Sequence, residues 1–399
     1  MSQPIDARAS GSPGAGEATG RAGGTGGTGG VGATGLFPSQ RIRGLIAAGV
    51  VGAAQPIEAG QVQPASLDLR LGVRAWRVRA SFLAGSGHTV AERLARFGMH
   101  EIDLSAGAVF ERGCVYVVEL MEHLALPPGI MAFANPKSSI GRLDVFTRLI
   151  TDRGTAFDRV DEAYCGPLYA EVAPRTFSIV ARAGSRLSQL RFRDGAPTID
   201  AATLRRLQDR QGLVGGAPVG GATIRDDATG AIGVSLDVDG AGEGDLVGWR
   251  ARKFAGLIDV DRVNHYDPLE FWEPIHANPR APFILDPDDF YILVTRETVS
   301  VPADHAAEMI AYDTLSGEFR VHYAGFFDPG FGMDGGTEGS RAVLEVRSHE
   351  VPFVIDHGQL VGWLKYERLA EVPDLLYGQG LGSNYQGQKL RLAKHFKPV

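Results

Sequence analysis

One stretch of the chain is written twice. Val115-Tyr116-Val117-Val118, followed by Glu122 and Pro127, returns as Phe290-Tyr291-Ile292-Leu293, followed by Glu297 and Pro302, displaced by 175 residues throughout. Further on, Glu171-Val172, Phe177, Gly184, Leu190 and Phe192 return as Glu345-Val346, Val351, Gly358, Leu364 and Tyr366, displaced by 174. A shared period with its apolar alternation preserved marks a tandem duplication. The repeated unit is built of short alternating or apolar runs punctuated by Gly, Pro, Asp and Asn, such as 114–120, 176–181, 290–295 and 341–346. These are strand signals at sandwich or barrel spacing. Helical periodicity is confined to short pieces at 39–48, 89–97 and 201–211. The expected fold is mainly β, one β-domain in tandem with a few short helices.

The boundaries follow composition. Residues 1–36 hold twelve glycines and almost nothing to bury, so a disordered tail is expected there. A first β-domain is expected over 37–211 and a second over 245–377, with a Gly/Asp-rich linker or excursion at 212–244 carrying a strand near 232–236. A C-terminal tail covers 378–399. At 44% hydrophobic and 22% charged residues the chain can bury a core, and its formal charge of −7 disfavours general nucleic-acid binding. No apolar run is long enough to span a bilayer and no signal-peptide pattern follows Met1, so a soluble, cytoplasmic protein with no membrane partner is expected. Cys114 and Cys165 lack metal or disulfide spacing.

Four segments carry chemistry. Pro64-Ala65-Ser66-Leu67-Asp68-Leu69-Arg70-Leu71-Gly72 is an alternating strand with an inward Ser/Asp pair. Asn135-Pro136-Lys137-Ser138-Ser139-Ile140-Gly141-Arg142 groups two hydroxyls with two cations, a compact set of anion donors suited to a helix start. Tyr323-Ala324-Gly325-Phe326-Phe327-Asp328-Pro329-Gly330-Phe331 precedes a strand with Glu345 in the middle of an apolar run, and Glu171 repeats that oddity. Such a carboxylate is costly unless it faces solvent, has partners or has a task. Lastly Gly378-Gln379-Gly380-Leu381-Gly382-Ser383-Asn384-Tyr385-Gln386-Gly387-Gln388, with Lys389 and Arg391 beyond, can close over a phosphate or simply fray.

As a set these segments resemble the dCTP deaminase branch of the dUTPase-like superfamily, in its long, two-domain form. The resemblance covers roughly 55–75, 112–195 and 285–395. It implies a tandem pair of dUTPase-like distorted, jelly-roll-like β-barrels and hydrolytic deamination of dCTP to dUTP and ammonia, in dUTP/dTTP biosynthesis. It assigns Glu345 as general base for a water, Ser139 and Arg142 as its neighbours, and the Ala324 carbonyl as part of the water's cage. Lys137 and Ser138 would contact phosphate, Asp328 the nucleotide, and Tyr385 and Gln388 would close over the triphosphate. Glu171 would be vestigial or belong to a second site. Magnesium would arrive with the triphosphate. Zinc is not expected, because the H-x-E and P-C-x-x-C ligands of zinc deaminases are missing from the sequence. The partners implied are dCTP and dUTP, and a homo-oligomer of threefold arrangement, with a homotrimer favoured.

Departures from the family pattern suggest division of labour. The second repeat has Asp313-Thr314-Leu315-Ser316-Gly317 in place of SSIGR, and the first has Asp161-Glu162-Ala163-Tyr164-Cys165-Gly166 in place of the DPGF turn. The first repeat would then supply Ser139 and Arg142, the second Ala324 and Glu345. The same Asp161-x-x-Tyr164-x-Gly166 turn resembles the core of a dUTP pyrophosphatase motif, so a pyrophosphatase or bifunctional enzyme stands as the alternative. The tail is expected to be open, packed on little, until nucleotide binds.

Overall fold

The computed structural model describes residues 34–216, 222–226, 230–311, 319–321, 325–333, 340–348, 350–379 and 385–398. The expectations for 1–33, for 313–317 and for Ala324 lie outside the described residues.

The duplication is visible strand by strand. Val115–Ala125, Ile130–Pro136, Cys165–Pro174 and Arg186–Asp194 in the first repeat correspond to Phe290–Val299, His305–Ala311, Ser340–Ser348 and Leu360–Arg368 in the second. In the first repeat, Leu67–Val78 pairs through its first half with Arg186–Asp194 and through its second half with Val115–Ala125. One long strand thereby joins two layers, which bends the sheet toward a barrel. Leu67, Leu69 and Leu71 alternate into the core beneath it.

In the second repeat this corner strand is cut in two. Ala231–Ser235 pairs with Leu360–Arg368, and Leu246–Ala251 pairs with Phe290–Val299. Between them lie Gly240, Gly242 and Gly244, all at positive φ, a backbone that leaves the β region and breaks the ladder. The strand expected inside a linker is therefore part of the second sheet, and Ile232 and Val234 are fully buried in its core. The helix Ala201–Gln211, opened by Asp200 accepting from Thr203 N–H and closed by left-handed Gly212, also gives Leu204 and Leu207 to that core. Packing of the second repeat thus begins well before 245.

The first core runs past the repeat boundary. It takes in Leu69, Val118 and Phe192, but also Trp272, Phe290, Ile292 and Val343. The chain's end joins it. Leu392, Ala393 and Phe396 are buried, with the Phe396 ring 5.5 Å from Phe271 and 6.0 Å from Trp272, both edge-on. The tail's far end is an anchored strap, since these apolar side chains find more burial against the core than in water.

Candidate active site

The short helix Ser138–Gly141 follows strand Ile130–Pro136. Lys137 at its N-cap reaches Asp68 Oδ1 at 2.5 Å, so the inward acid of the first motif fixes the first cation of the second. Three residues after Ser139, the chain delivers Arg142, buried and crossing to the second repeat. Its Nε lies 3.7 Å from Glu345 Oε1, and that Nε has no hydrogen-bond partner. Its Nη2 donates to Gln388 Oε1 at 3.0 Å and its Nη1 to the Arg391 carbonyl at 2.9 Å. The Tyr385 ring stacks beneath the guanidinium, 4.0 Å from centroid to Cζ, a cation–π contact.

Glu345 stands in strand Ser340–Ser348 opposite Ile292. Burial pushes its carboxyl up to about 7, against the pull of Arg142, and the acidic Asp144 pushes the same way as burial. It therefore exchanges its proton near neutrality, as a proton-transfer group needs to.

Asp328 follows Phe326–Phe327 and is held by a first-repeat arginine that nothing in the sequence singled out. Arg191 is fully buried and donates to Asp328 Oδ1 at 3.1 Å, to the Phe327 carbonyl at 3.0 Å and to the Ala307 carbonyl at 3.1 Å. Its guanidinium lies 4.0 Å from the Phe326 ring centroid. Arg191 comes from strand Arg186–Asp194 of the first repeat, so a side chain of one repeat fixes a turn of the other. Burial raises the Asp328 carboxyl, opposed by Arg191.

Lys137, Ser138, Ser139, Arg142, Asp328, Glu345, Tyr385 and Gln388 line one cavity of about 130 Å³ between the repeats. Gln63, Gln189 and Met309 line it too and carried no sequence signal. Tyr385 and Gln388 of the tail form part of its wall, while Phe396 further along is seated in the core.

Glu171 is not in the cleft. It is buried in Cys165–Pro174, and its Oε1 takes both Nε and Nη2 of Arg148, while Oε2 has no hydrogen-bond partner. The Asp161 turn is also elsewhere, with Asp161 exposed and paired to Arg159 at 2.7 Å. Glu122 and Glu297, which also recur, are structural. Glu122 accepts from Arg70 N–H and Nε, and Glu297 from Ser235 N–H and Oγ. Among the described residues no three His, Cys, Asp or Glu side chains cluster as metal ligands.

A buried carboxyl raised to about 7 and facing a buried guanidinium thus lies where the two β-repeats meet. The chain belongs to the 2'-deoxycytidine 5'-triphosphate deaminase family: that family's N-terminal domain matches residues 33–196 and its C-terminal domain residues 200–396. Its structure is similar to the crystal structure of 2'-deoxycytidine 5'-triphosphate deaminase from Agrobacterium tumefaciens, with 53% identity and a TM-score of 0.79, over 86% of this chain and all of that one. Shorter relatives include the "dCTP deaminase, dUMP-forming" of Pseudarthrobacter chlorophenolicus, 32% identical over 35% of this chain and 74% of its own length. That of Nocardia farcinica is 27% identical, over 41% and 82%.

Proposed function

We propose that this protein deaminates dCTP by hydrolysis, giving dUTP and ammonia, in a single site made from both repeats. The observation that carries the reading is Glu345, buried, held near pH 7 and facing the unfilled Nε of Arg142 at 3.7 Å. That separation is too long for a hydrogen bond and suits a water shared by both groups. Glu345 takes a proton from this water as its oxygen adds to C4 of cytosine and passes the proton toward N3. Collapse of the tetrahedral centre expels ammonia and leaves uracil. Ser139 and Arg142 hold the water and Glu345 in register, and fixed donors in a dry cleft stabilise the charge that develops. The Ala324 carbonyl is assigned to the same cage by the resemblance alone.

Lys137 and Ser138 receive phosphate, Asp328 contacts the nucleotide, and Tyr385 and Gln388 swing out and reclose over the triphosphate. Magnesium enters as part of the substrate, and the reaction proceeds without zinc. Glu171, neutralised by Arg148, takes no part. The domains assemble with threefold symmetry, as a homotrimer, in the cytoplasm, and the product feeds deoxyuridine nucleotide synthesis.

The names of the shorter relatives favour a second reading, in which dUTP is also cut to dUMP. The pyrophosphatase-like Asp161 is exposed and outside the cleft, which favours dUTP as the product. Incubation of the full chain with Mg²⁺ and dCTP, read for ammonia, uracil nucleotides and pyrophosphate, tests this. Ammonia with dUTP and no pyrophosphate is expected. Equal ammonia and pyrophosphate would establish the bifunctional reading, and no ammonia would overturn both.

A further inference from the structure

We infer that Asp144 and Arg347 are a positioning pair for the proposed deamination site: a second ion pair across the repeat boundary, of reversed polarity, that sets Glu345 against Arg142. This rests on the reading of Glu345 as the general base. The first repeat contributes a cation at Arg142 and, two residues on, an anion at Asp144. The second contributes an anion at Glu345 and, two residues on along the same face of strand Ser340–Ser348, a cation at Arg347. Arg142 meets Glu345, and Arg347 Nη2 meets Asp144 Oδ2.

The second pair is built tightly. Its side chains are 1% and 6% exposed. Thr176 Oγ1 donates to Asp144 Oδ2 at 2.6 Å and accepts from Arg347 Nη2 at 2.9 Å, and Arg347 Nη1 binds the Asp288 carbonyl. Asp144 holds φ +56°, a left-handed conformation that a side chain adopts at a cost. Its N–H donates to the Gly141 carbonyl, and its own carbonyl accepts from Arg175 N–H. A buried ion pair is a poor source of stability, because desolvation offsets its attraction, but it fixes geometry. Here it ties each repeat's contribution to the cleft to the other's, within two residues of both groups that face the water.

The pair also sets the field at Glu345. Among the described residues, the titratable groups that act on this carboxyl are Arg142 and Asp144 from the segment after the short helix and Tyr385 from the tail; of the two flanking strands, Phe290–Val299 presents Ile292, and Phe319–Val321 sets Arg320 opposite Arg347. Arg175 stands near Asp144. Asp144 favours the protonated carboxyl and Arg347 screens Asp144. Loss of Asp144 leaves the Arg347 charge uncompensated and lowers Glu345, whereas loss of Arg347 lets Asp144, already raised by burial, take a proton, so the field at Glu345 changes little.

The test is the pH profile of kcat/KM for dCTP in Asp144→Asn, Arg347→Met and the double variant, with thermal unfolding alongside. Asp144→Asn should move the acid limb to lower pH by at least ~0.5 unit. Arg347→Met, in which the buried Asp144 takes a proton, and the double variant should leave the limb near its wild-type position. A structural brace without a positioning role would lower kcat in all three with the limb unmoved in Asp144→Asn as well, and that result overturns the inference. Should Arg347→Met fail to fold, Arg347→Lys takes its place: it keeps the charge and must keep the limb where it was, while Asp144→Asn still moves it. Wild-type turnover is measured first. Absence of ammonia there overturns the proposed function, whereas normal turnover with unmoved limbs overturns only the pair.

Discussion

At the scale of residues, the site depends on one carboxyl. Burial holds Glu345 near pH 7, so it loses the capacity to accept a proton as pH falls through that value. The acid limb of kcat/KM is accordingly expected near pH 7, well above that of an exposed glutamate. A limb near 4.5 would place the proton acceptor elsewhere. The sign for stability is the reverse. A carboxyl raised above its unfolded value favours folding while protonated, and that contribution fades as pH rises toward 7. Glu345→Gln should therefore lower kcat at least ~10²-fold without lowering Tm at pH 8. Retention of wild-type kcat in this variant would remove Glu345 from the chemistry.

The same scale shows what a sequence can and cannot reveal. Glu345 and Glu171 carry the same signal, a carboxylate inside an apolar strand, and both are buried. Their difference lies in which side chain a neighbouring element brings opposite: Arg142 from the other repeat for one, Arg148 from the adjacent strand for the other. Alternation along a strand says nothing about that. Asp144 with Arg347 and Arg191 with Asp328 were invisible for the same reason, since their partners are 203 and 137 residues apart.

At the scale of elements, local rules succeed where the causes are local. The helix Val90–Phe97 begins at Thr89 with a capping box to Glu92, and Ala201–Gln211 lies where its period placed it. The Gly-rich stretch misleads because its glycines break a strand without ending a domain, so Ala231–Ser235 returns to the sheet ahead of the break. The tail misleads in the other direction. Its glycines read as an open tail packed on little, yet Tyr385 and Phe396 are buried and His395 Nε2 is 2.9 Å from the Val260 carbonyl. Phe396→Ala should cost about 3–5 kcal/mol, as deletion of a core aromatic does, and should be read as a fall in Tm before any nucleotide is added. An unchanged Tm would show that the strap is only a lid.

At the scale of the whole molecule, duplication repeats the principal strands, and among the described residues one cleft draws on both repeats. The first repeat provides the helix with Ser139 and Arg142, and the second provides Asp328 and Glu345. The period in the sequence made the duplication legible. The joint was less so, because the apolar core crosses it without a break and Trp272 and Phe396 pack with first-repeat side chains. Fusion of the repeats in one chain keeps the two halves of the proposed site together at any protein concentration. The first repeat's own strand carboxylate, Glu171, is paired with Arg148 instead. The central claim, one deamination site per chain built from both repeats, is tested most directly by calorimetric titration of Glu345→Gln with Mg²⁺ and dCTP. One dCTP bound per chain is expected, with binding lost when Arg142→Ala is added. Two bound per chain, or binding indifferent to Arg142, would contradict it.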